Sequence, residues 1–188
     1  INKLNIFMKN TFIQKYTSNT FEDIKQNDII LNLYSKFIKN NCLQLLIIGD
    51  TSSGKTTHIN AIVNEYFSKN KITNYENHVL KINSLNEYGI QHSRARLHSF
   101  CQTKSFVKKI IVIDDLDLIN EQNQQIIRGN INQYSDNIHF VCSCSNIKKI
   151  NDTLQSRLVI LYINKLQKND YVNLYNHVIE KEQINIDK

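Results

Sequence analysis

The chain has 188 residues, a formal charge of +6, 41% hydrophobic and 21% charged residues, enough to bury one core and to begin a second unit. These are the proportions of a soluble globular protein; no apolar run is long enough to span a bilayer, and the N-terminus shows no secretory h-region, so neither a membrane-spanning nor a secreted protein is expected. The positive surplus suits a polyanionic partner, and the expected compartment is intracellular and reducing.

After a polar, weakly periodic stretch over residues 1–19, Thr20-Phe21-Glu22-Asp23-Ile24 leads into an expected helix. Ile29, Ile30, Leu33, Phe37 and Ile38 recur at helical spacing and should face a core. The apolar run Leu45-Leu46-Ile47-Ile48 reads as a strand, and a helix is expected from the following loop to about Ser68. Residues 70–77 are a polar connection to a short strand at Val79-Leu80-Lys81-Ile82, and a helix after Gly89 should carry Arg94 and Arg96. Lys109-Ile110-Ile111-Val112-Ile113 is the β-branched run of a strand buried on both faces of a parallel sheet. Residues 121–134 suggest an amphipathic helix interrupted by Gly129. Ile138 to Cys144 reads as another central strand, 151–157 as a short helix or turn, 158–163 as a last strand and 170–182 as a terminal helix. Strands alternating with helices predict a doubly wound α/β sheet, with residues 1–163 as the main domain and 164–188 as the start of a helical one. The four cysteines, Cys42, Cys101, Cys142 and Cys144, do not have metal-ligand spacing. Cys142 and Cys144 share one strand face, where they fill a core.

Chemistry concentrates in three places. Gly49-Asp50-Thr51-Ser52-Ser53-Gly54-Lys55-Thr56, between strand and helix, has the G-x-x-x-x-G-K-T spacing of a phosphate-binding loop. Its glycines let backbone N–H groups curl around phosphates at a helix N-terminus, with Lys55 reaching the β/γ-phosphates and Thr57 opening the helix. Thr56 would place its hydroxyl on Mg²⁺. Asp114 and Asp115 close the buried strand where such sheets bind ligands; Asp114 would hold the Mg²⁺ and Asp115 would orient and deprotonate an attacking water. Ser145 and Asn146 are polar groups at the tip of the next strand.

These residues together resemble the ATPase domain of an AAA+ clamp-loader subunit, most closely the small subunits of replication factor C. Phe12-Ile13-Gln14-Lys15-Tyr16 with Thr20 to Ile24 is similar to the family's E-K-Y-R-P…T-x-x-D-I signature, with Thr17 and Ser18 replacing the arginine and proline. Asn83-Ser84-Leu85-Asn86-Glu87-Tyr88-Gly89-Ile90 resembles N-A-S-D-E-R-G-I, Gln124 to Arg128 resembles Q-Q-A-L-R, and Leu154-Gln155-Ser156-Arg157 matches L-Q-S-R. The resemblance implies a three-layer P-loop NTPase with a central parallel sheet and the start of a helical lid. It implies ATP as the nucleotide, with Lys15, Tyr16 and Ile24 in the segment that lines the adenine pocket. It implies Arg157 as an arginine finger acting on a neighbouring subunit, Arg94 and Arg96 as contacts to DNA phosphates, and Arg128 on the helix that couples DNA to the nucleotide site. An ungapped alignment puts Ser145 at the family's sensor asparagine, and a one-residue shift puts Asn146 there. The implied partners are other clamp-loader subunits in a hetero-oligomeric ring, a sliding clamp and primer–template DNA, with no membrane, at a nuclear or viral replication site. Asp115 stands where the family has glutamate, and Gly129 where the coupling helix has a second arginine. Two readings follow: an ATP-hydrolysing motor that loads a clamp during DNA replication, or a degenerate subunit that binds nucleotide and lends Arg157. Another P-loop NTPase, such as a helicase loader, is a generic alternative.

Overall fold

A computed structural model describes residues 20, 21, 24, 28–83 and 96–182. The strands are β1 (Gln44–Ile48), β2 (Val79–Asn83), β3 (Lys109–Asp114), β4 (Ile138–Cys144) and β5 (Val159–Tyr162). The helices are α1 (Asp28–Lys39), α2 (Lys55–Lys69), α3 (Glu121–Tyr134), α4 (Asp152–Gln155) and α5 (Lys168–Glu182), with a further helical stretch over 96–102.

All strand pairs are parallel, in the order β2-β3-β4-β1-β5. Period two sends alternate side chains of each central strand to opposite faces, so both faces are apolar. Leu45, Ile47, Ile110, Val112 and Val141 pack with Tyr34 and Ile38 of α1 and with Ile59, Ile62, Val63 and Phe67 of α2. Leu46, Ile48, Ile111, Ile113, Phe140, Cys142 and Cys144 pack with Ile127 and Ile131 of α3, with Leu154 of α4 and with Leu97 and Cys101. The expected three-layer α/β/α fold is therefore present. β1 and β4 are neighbours, yet the chain leaves β1 toward the first face and β4 toward the second. Their C-terminal ends thus open a crevice at a topological switch point, the place where such sheets take ligands.

Two local expectations are corrected. Helical spacing puts Ile29 on the core face of α1, whereas in the structure it is 65% exposed. At 100° per residue it lies opposite Ile38, and the buried stripe is centred on Tyr34 and Ile38 instead. Gly129 does not interrupt α3, which runs unbroken through it on a face with no atom near an added Cβ. A solvent-side glycine costs a helix about 1 kcal/mol, which the buried Ile127 and Ile131 offset.

The end of the sheet opposite the crevice is fastened by a buried histidine. His139 Nδ1 accepts the Leu43 N–H at 3.3 Å, which leaves the proton on Nε2 to donate to Asn41 Oδ1 at 3.0 Å. The Tyr66 ring meets the imidazole edge-on at 5.1 Å. Burial, reinforced by the nearby Lys108 ammonium, lowers the His139 pKa to about 3, and burial lowers that of His58 to about 4. Both folded values lie below the unfolded 6.5, so the unfolded chain binds more protons between about pH 6.5 and 4. Stability should be fully present above pH 6.5 and fall as pH drops, by up to about 1.4 kcal/mol per pH unit for each imidazole. Urea unfolding of wild type and His139→Gln between pH 7.5 and 4.5 checks this: the variant should be less stable at pH 7.5 and show a shallower decline.

Candidate nucleotide site

The loop between β1 and α2 curls because two of its residues take left-handed backbone angles, Ser52 at φ 64° and Gly54 at φ 90°. Gly54 tolerates this without a Cβ penalty and opens α2 with no side-chain cap, so the first-turn N–H groups face the loop's concavity. Gly49 is required for a different reason. A Cβ there would lie 2.5 Å from Ser53 Oγ and 2.7 Å from Ile163 Cγ1. The loop base is seated against the end of β5, where the Ile163 N–H also donates to the Ile48 carbonyl at 2.8 Å.

Lys55 folds back under its own loop. Its ammonium, largely buried, donates to the Gly49 and Asp50 carbonyls and to Ser145 Oγ, each at 3.0 Å. Thr56 Oγ1 donates to Asp114 Oδ2 at 2.6 Å, and the Ser143 hydroxyl donates to Asp114 Oδ1. The Asp115 N–H donates to the same Ser143 oxygen at 3.0 Å. Asp115 itself is left-handed, at φ 52° and ψ 53°, and its carbonyl accepts the Leu118 N–H at 3.0 Å, so β3 ends at Asp114 and not one residue later. Burial first, and then the Asp114 charge, hold the Asp115 carboxyl above the usual carboxylate range, with Lys55 opposing and Asp117 adding.

The crevice therefore gathers Gly49 to Thr57, Asp114, Asp115 and Ser145. Of the two strand-tip candidates, Ser145 is the one whose side chain meets Lys55. Asn146 Oδ1 instead accepts the Lys148 N–H at 3.0 Å and caps the following turn. Asp50 points outward to an exposed salt bridge with Lys165 at 3.1 Å. A pair so exposed is worth about 0–1 kcal/mol. Arg157 is not in the crevice: it is exposed, and its Nε donates to Asn132 Oδ1 of α3 at 2.8 Å. Arg96 is exposed on the 96–102 helical stretch, and Arg128 is half-buried on α3, its Nε without a hydrogen-bond partner among the described residues. Ile24 is buried. Lys15, Tyr16, Arg94 and residues 84–90 lie outside the described residues.

Sequence reasoning missed Ser143, whose hydroxyl joins Asp114 to the Asp115 amide, and Asp117, whose carboxylate accepts the Ser145 and Asn146 N–H groups at 3.3 and 3.1 Å. The third acidic residue in Asp114-Asp115-Leu116-Asp117 was the available signal. Gln124 is a further surprise. Its amide is buried and ties α3 to the Ile119 and Lys149 carbonyls at 2.9 Å, while its Oε1 accepts the Asn151 N–H at 2.9 Å. The turn after β4 is thus braced from below.

A profile of the ATPase family associated with various cellular activities (AAA) matches residues 45–165. The chain belongs to the AAA family. It is also similar to replication factor C small subunits: it is 28% identical over 179 residues to that of Saccharolobus solfataricus, covering 93% of this chain and 53% of that protein. The small subunit of Methanococcus vannielii is 30% identical over 185 residues, covering 96% and 58%. Human replication factor C subunit 5 is 28% identical over 179 residues, covering 93% and 52%. The chain spans about half the length of the curated relatives it matches. Among solved structures, RuvB of Thermotoga maritima superposes with a TM-score of 0.72 at 12% identity, over 93% of this chain and 57% of that one. Domain III of the Thermotoga maritima replication initiation protein DnaA gives 0.65 at 19%, over 90% and 77%. At those identities the likeness shows the AAA fold alone.

The residues fit a nucleoside triphosphate with its cation. The α2 N-terminus and a lysine ammonium suit phosphates, and two oxygens of the type that Mg²⁺ takes, Thr56 Oγ1 and Asp114 Oδ2, lie 2.6 Å apart. Gly49→Ala should lower folding stability by about 1–3 kcal/mol, because the new methyl must displace Ser53 and Ile163; a shift of the urea midpoint at unchanged slope is the measurement.

Proposed function

We propose that this chain is an ATP-binding clamp-loader subunit, of the replication factor C small-subunit kind, which uses ATP binding and hydrolysis to place a ring-shaped sliding clamp on primer–template DNA. One observation carries the reading: Lys55, the Thr56–Asp114 pair and Ser145 converge at the tips of three neighbouring strands, β1, β3 and β4. Bound Mg²⁺ would neutralise phosphate charge, held by Thr56 and Asp114. Lys55 and the first-turn amides of α2 would hold the β- and γ-phosphates, and Ser145, accepting from Lys55, keeps its own O–H proton to donate to the terminal phosphate. Asp115 would orient the attacking water and accept its proton; a raised carboxyl pKa improves a base provided it stays ionised at the working pH.

Arg157 supports action between subunits. It is exposed, its described partners Asn132 and Ser156 are neutral, and its charge is therefore available to a neighbour's phosphates. In this reading Lys15, Tyr16 and Ile24 line the adenine pocket, Arg94 and Arg96 track DNA phosphates, and Arg128 couples the two. Residues 164–188 begin a lid; the exposed Tyr171, Val172, Leu174 and Tyr175 of α5 suit a helix awaiting such a packing partner. The work would be done inside the cell, where DNA is replicated, and among the described residues no helix is long and apolar enough to cross a membrane.

A second reading rests on Asp115. Its side chain is one methylene shorter than the family's glutamate, and a retracted base can lose about 10²-fold in rate. In that case the subunit binds nucleotide and lends Arg157 with little turnover of its own.

ATP turnover by the complex that co-purifies with this chain, with and without primer–template DNA, tests both. A motor subunit predicts DNA-stimulated turnover of which Lys55→Ala removes this subunit's share. Indifference to Lys55→Ala with a strong loss in Arg157→Ala, roughly 10³-fold at the site it serves, means a finger donor. Absence of DNA stimulation with partners present overturns the clamp-loader reading.

A further inference from the structure

The turn after β3 holds a carboxylate that neither the phosphate-binding motif nor the metal-binding pair uses. The β3–β4 ladder ends at Ile113 and Cys142, so the N–H groups of Ser145 and Asn146 lie beyond it. Asp117 takes over there: Oδ1 accepts Ser145 N–H at 3.3 Å and Oδ2 accepts Asn146 N–H at 3.1 Å. On the opposite side the Cys144 carbonyl accepts the Gly49 N–H at 3.3 Å. The β4 tip is thus gripped between a charged acceptor and the phosphate-binding loop. Hydrogen bonds to an ionised carboxylate are roughly twice as strong as neutral ones. The residue so gripped is the one that turns its hydroxyl onto Lys55 Nζ.

We propose that Asp117 is a positioning residue: by holding the Ser145 and Asn146 amides it sets Ser145 Oγ to read the terminal phosphate of a nucleoside triphosphate, and so governs discrimination of triphosphate from diphosphate. The proposal rests on the nucleotide-binding reading above. It makes a prediction opposite in sign to simple charge removal. Deleting an anion beside a polyphosphate site should by itself strengthen binding of the more highly charged nucleotide. Deleting an anchor of Ser145 should weaken it.

The test is calorimetric titration of ADP and of a non-hydrolysable ATP analogue, with Mg²⁺, into wild type, Asp117→Ala, Ser145→Ala and the double variant. Asp117→Ala should weaken the triphosphate roughly tenfold, the effect of one lost charge-assisted hydrogen bond, and leave ADP within about twofold. The double variant should bind the triphosphate no worse than Ser145→Ala alone, since Asp117 acts through Ser145. Tighter triphosphate binding by Asp117→Ala, equal losses for both nucleotides, or additive losses in the double variant would each overturn the proposal. Should Asp117→Ala unfold, Asp117→Asn, which keeps one acceptor oxygen and opposes the second N–H, should give a smaller loss confined to the triphosphate; a loss shared with ADP overturns the proposal. A wild type that binds neither nucleotide overturns the nucleotide reading and this one with it, whereas wild-type binding with unselective losses overturns only the positioning role.

Discussion

The ammonium of Lys55 has three N–H donors, and the structure gives it three oxygens: two loop carbonyls and the Ser145 hydroxyl. A buried cation is tolerated only when so paired, which makes these contacts mutually dependent. The carbonyls belong to Gly49 and Asp50, so the lysine clamps the curl of its own loop. The hydroxyl comes from Ser145, 90 positions further along and just past the end of β4. Loop shape, strand order and the tip of β4 are therefore joined at one atom. A register slip of β4 against β1 would move Cys142 and Cys144 to the other face of the sheet, exchanging them with Val141 and Ser143, and carry Ser145 away from the lysine at the same time.

Beside that cation lie three carboxylates on one short turn, and each is used differently. Asp114 is held by two hydroxyls, one from α2 and one from β4. Asp117 spends its oxygens on backbone amides of the neighbouring strand tip. Asp115 is the carboxyl with its pKa raised, and its left-handed backbone is stabilised by hydrogen bonds through its own N–H and C=O. Left-handed angles cost an ordinary residue about 1–2 kcal/mol, less for Asp than for a β-branched side chain. The effect is to end β3 abruptly and aim the next residues across the crevice. Ser143 is the hub of this arrangement, since one hydroxyl donates to Asp114 and accepts from the Asp115 amide.

Much of this was legible in the residue pattern. The apolar run at 45–48, the β-branched run at 110–113 and the largely apolar stretch at 138–142 announce buried strands, and all three are central in the sheet. The glycine and lysine spacing announces the loop, because only that spacing lets backbone amides and one ammonium share a phosphate. Helix faces were less legible. α1 has apolar residues around much of its circumference, so periodicity assigned Ile29 to the core, and only packing against α2 and β1 selects Tyr34 and Ile38. At Gly129 local propensity points to a break, and the burial of Ile127 and Ile131 overrides it.

The sequence by itself determined the layered α/β architecture and the loop that opens α2, since both arise from local rules: side-chain period, β-branching, and the freedom of glycine at positive φ. What only the tertiary structure decided is which polar groups meet. Ser143, Ser145 and Asp117 are common residue types in unremarkable local contexts. Their partners, Asp114, Lys55 and the β4-tip amides, are far away along the chain and near only because parallel strands with crossovers bring their C-terminal ends together. The choice between Ser145 and Asn146 was decided the same way: both are polar and adjacent, but the pleat and the end of the β4 ladder turn one side chain to Lys55 and leave the other to cap a turn.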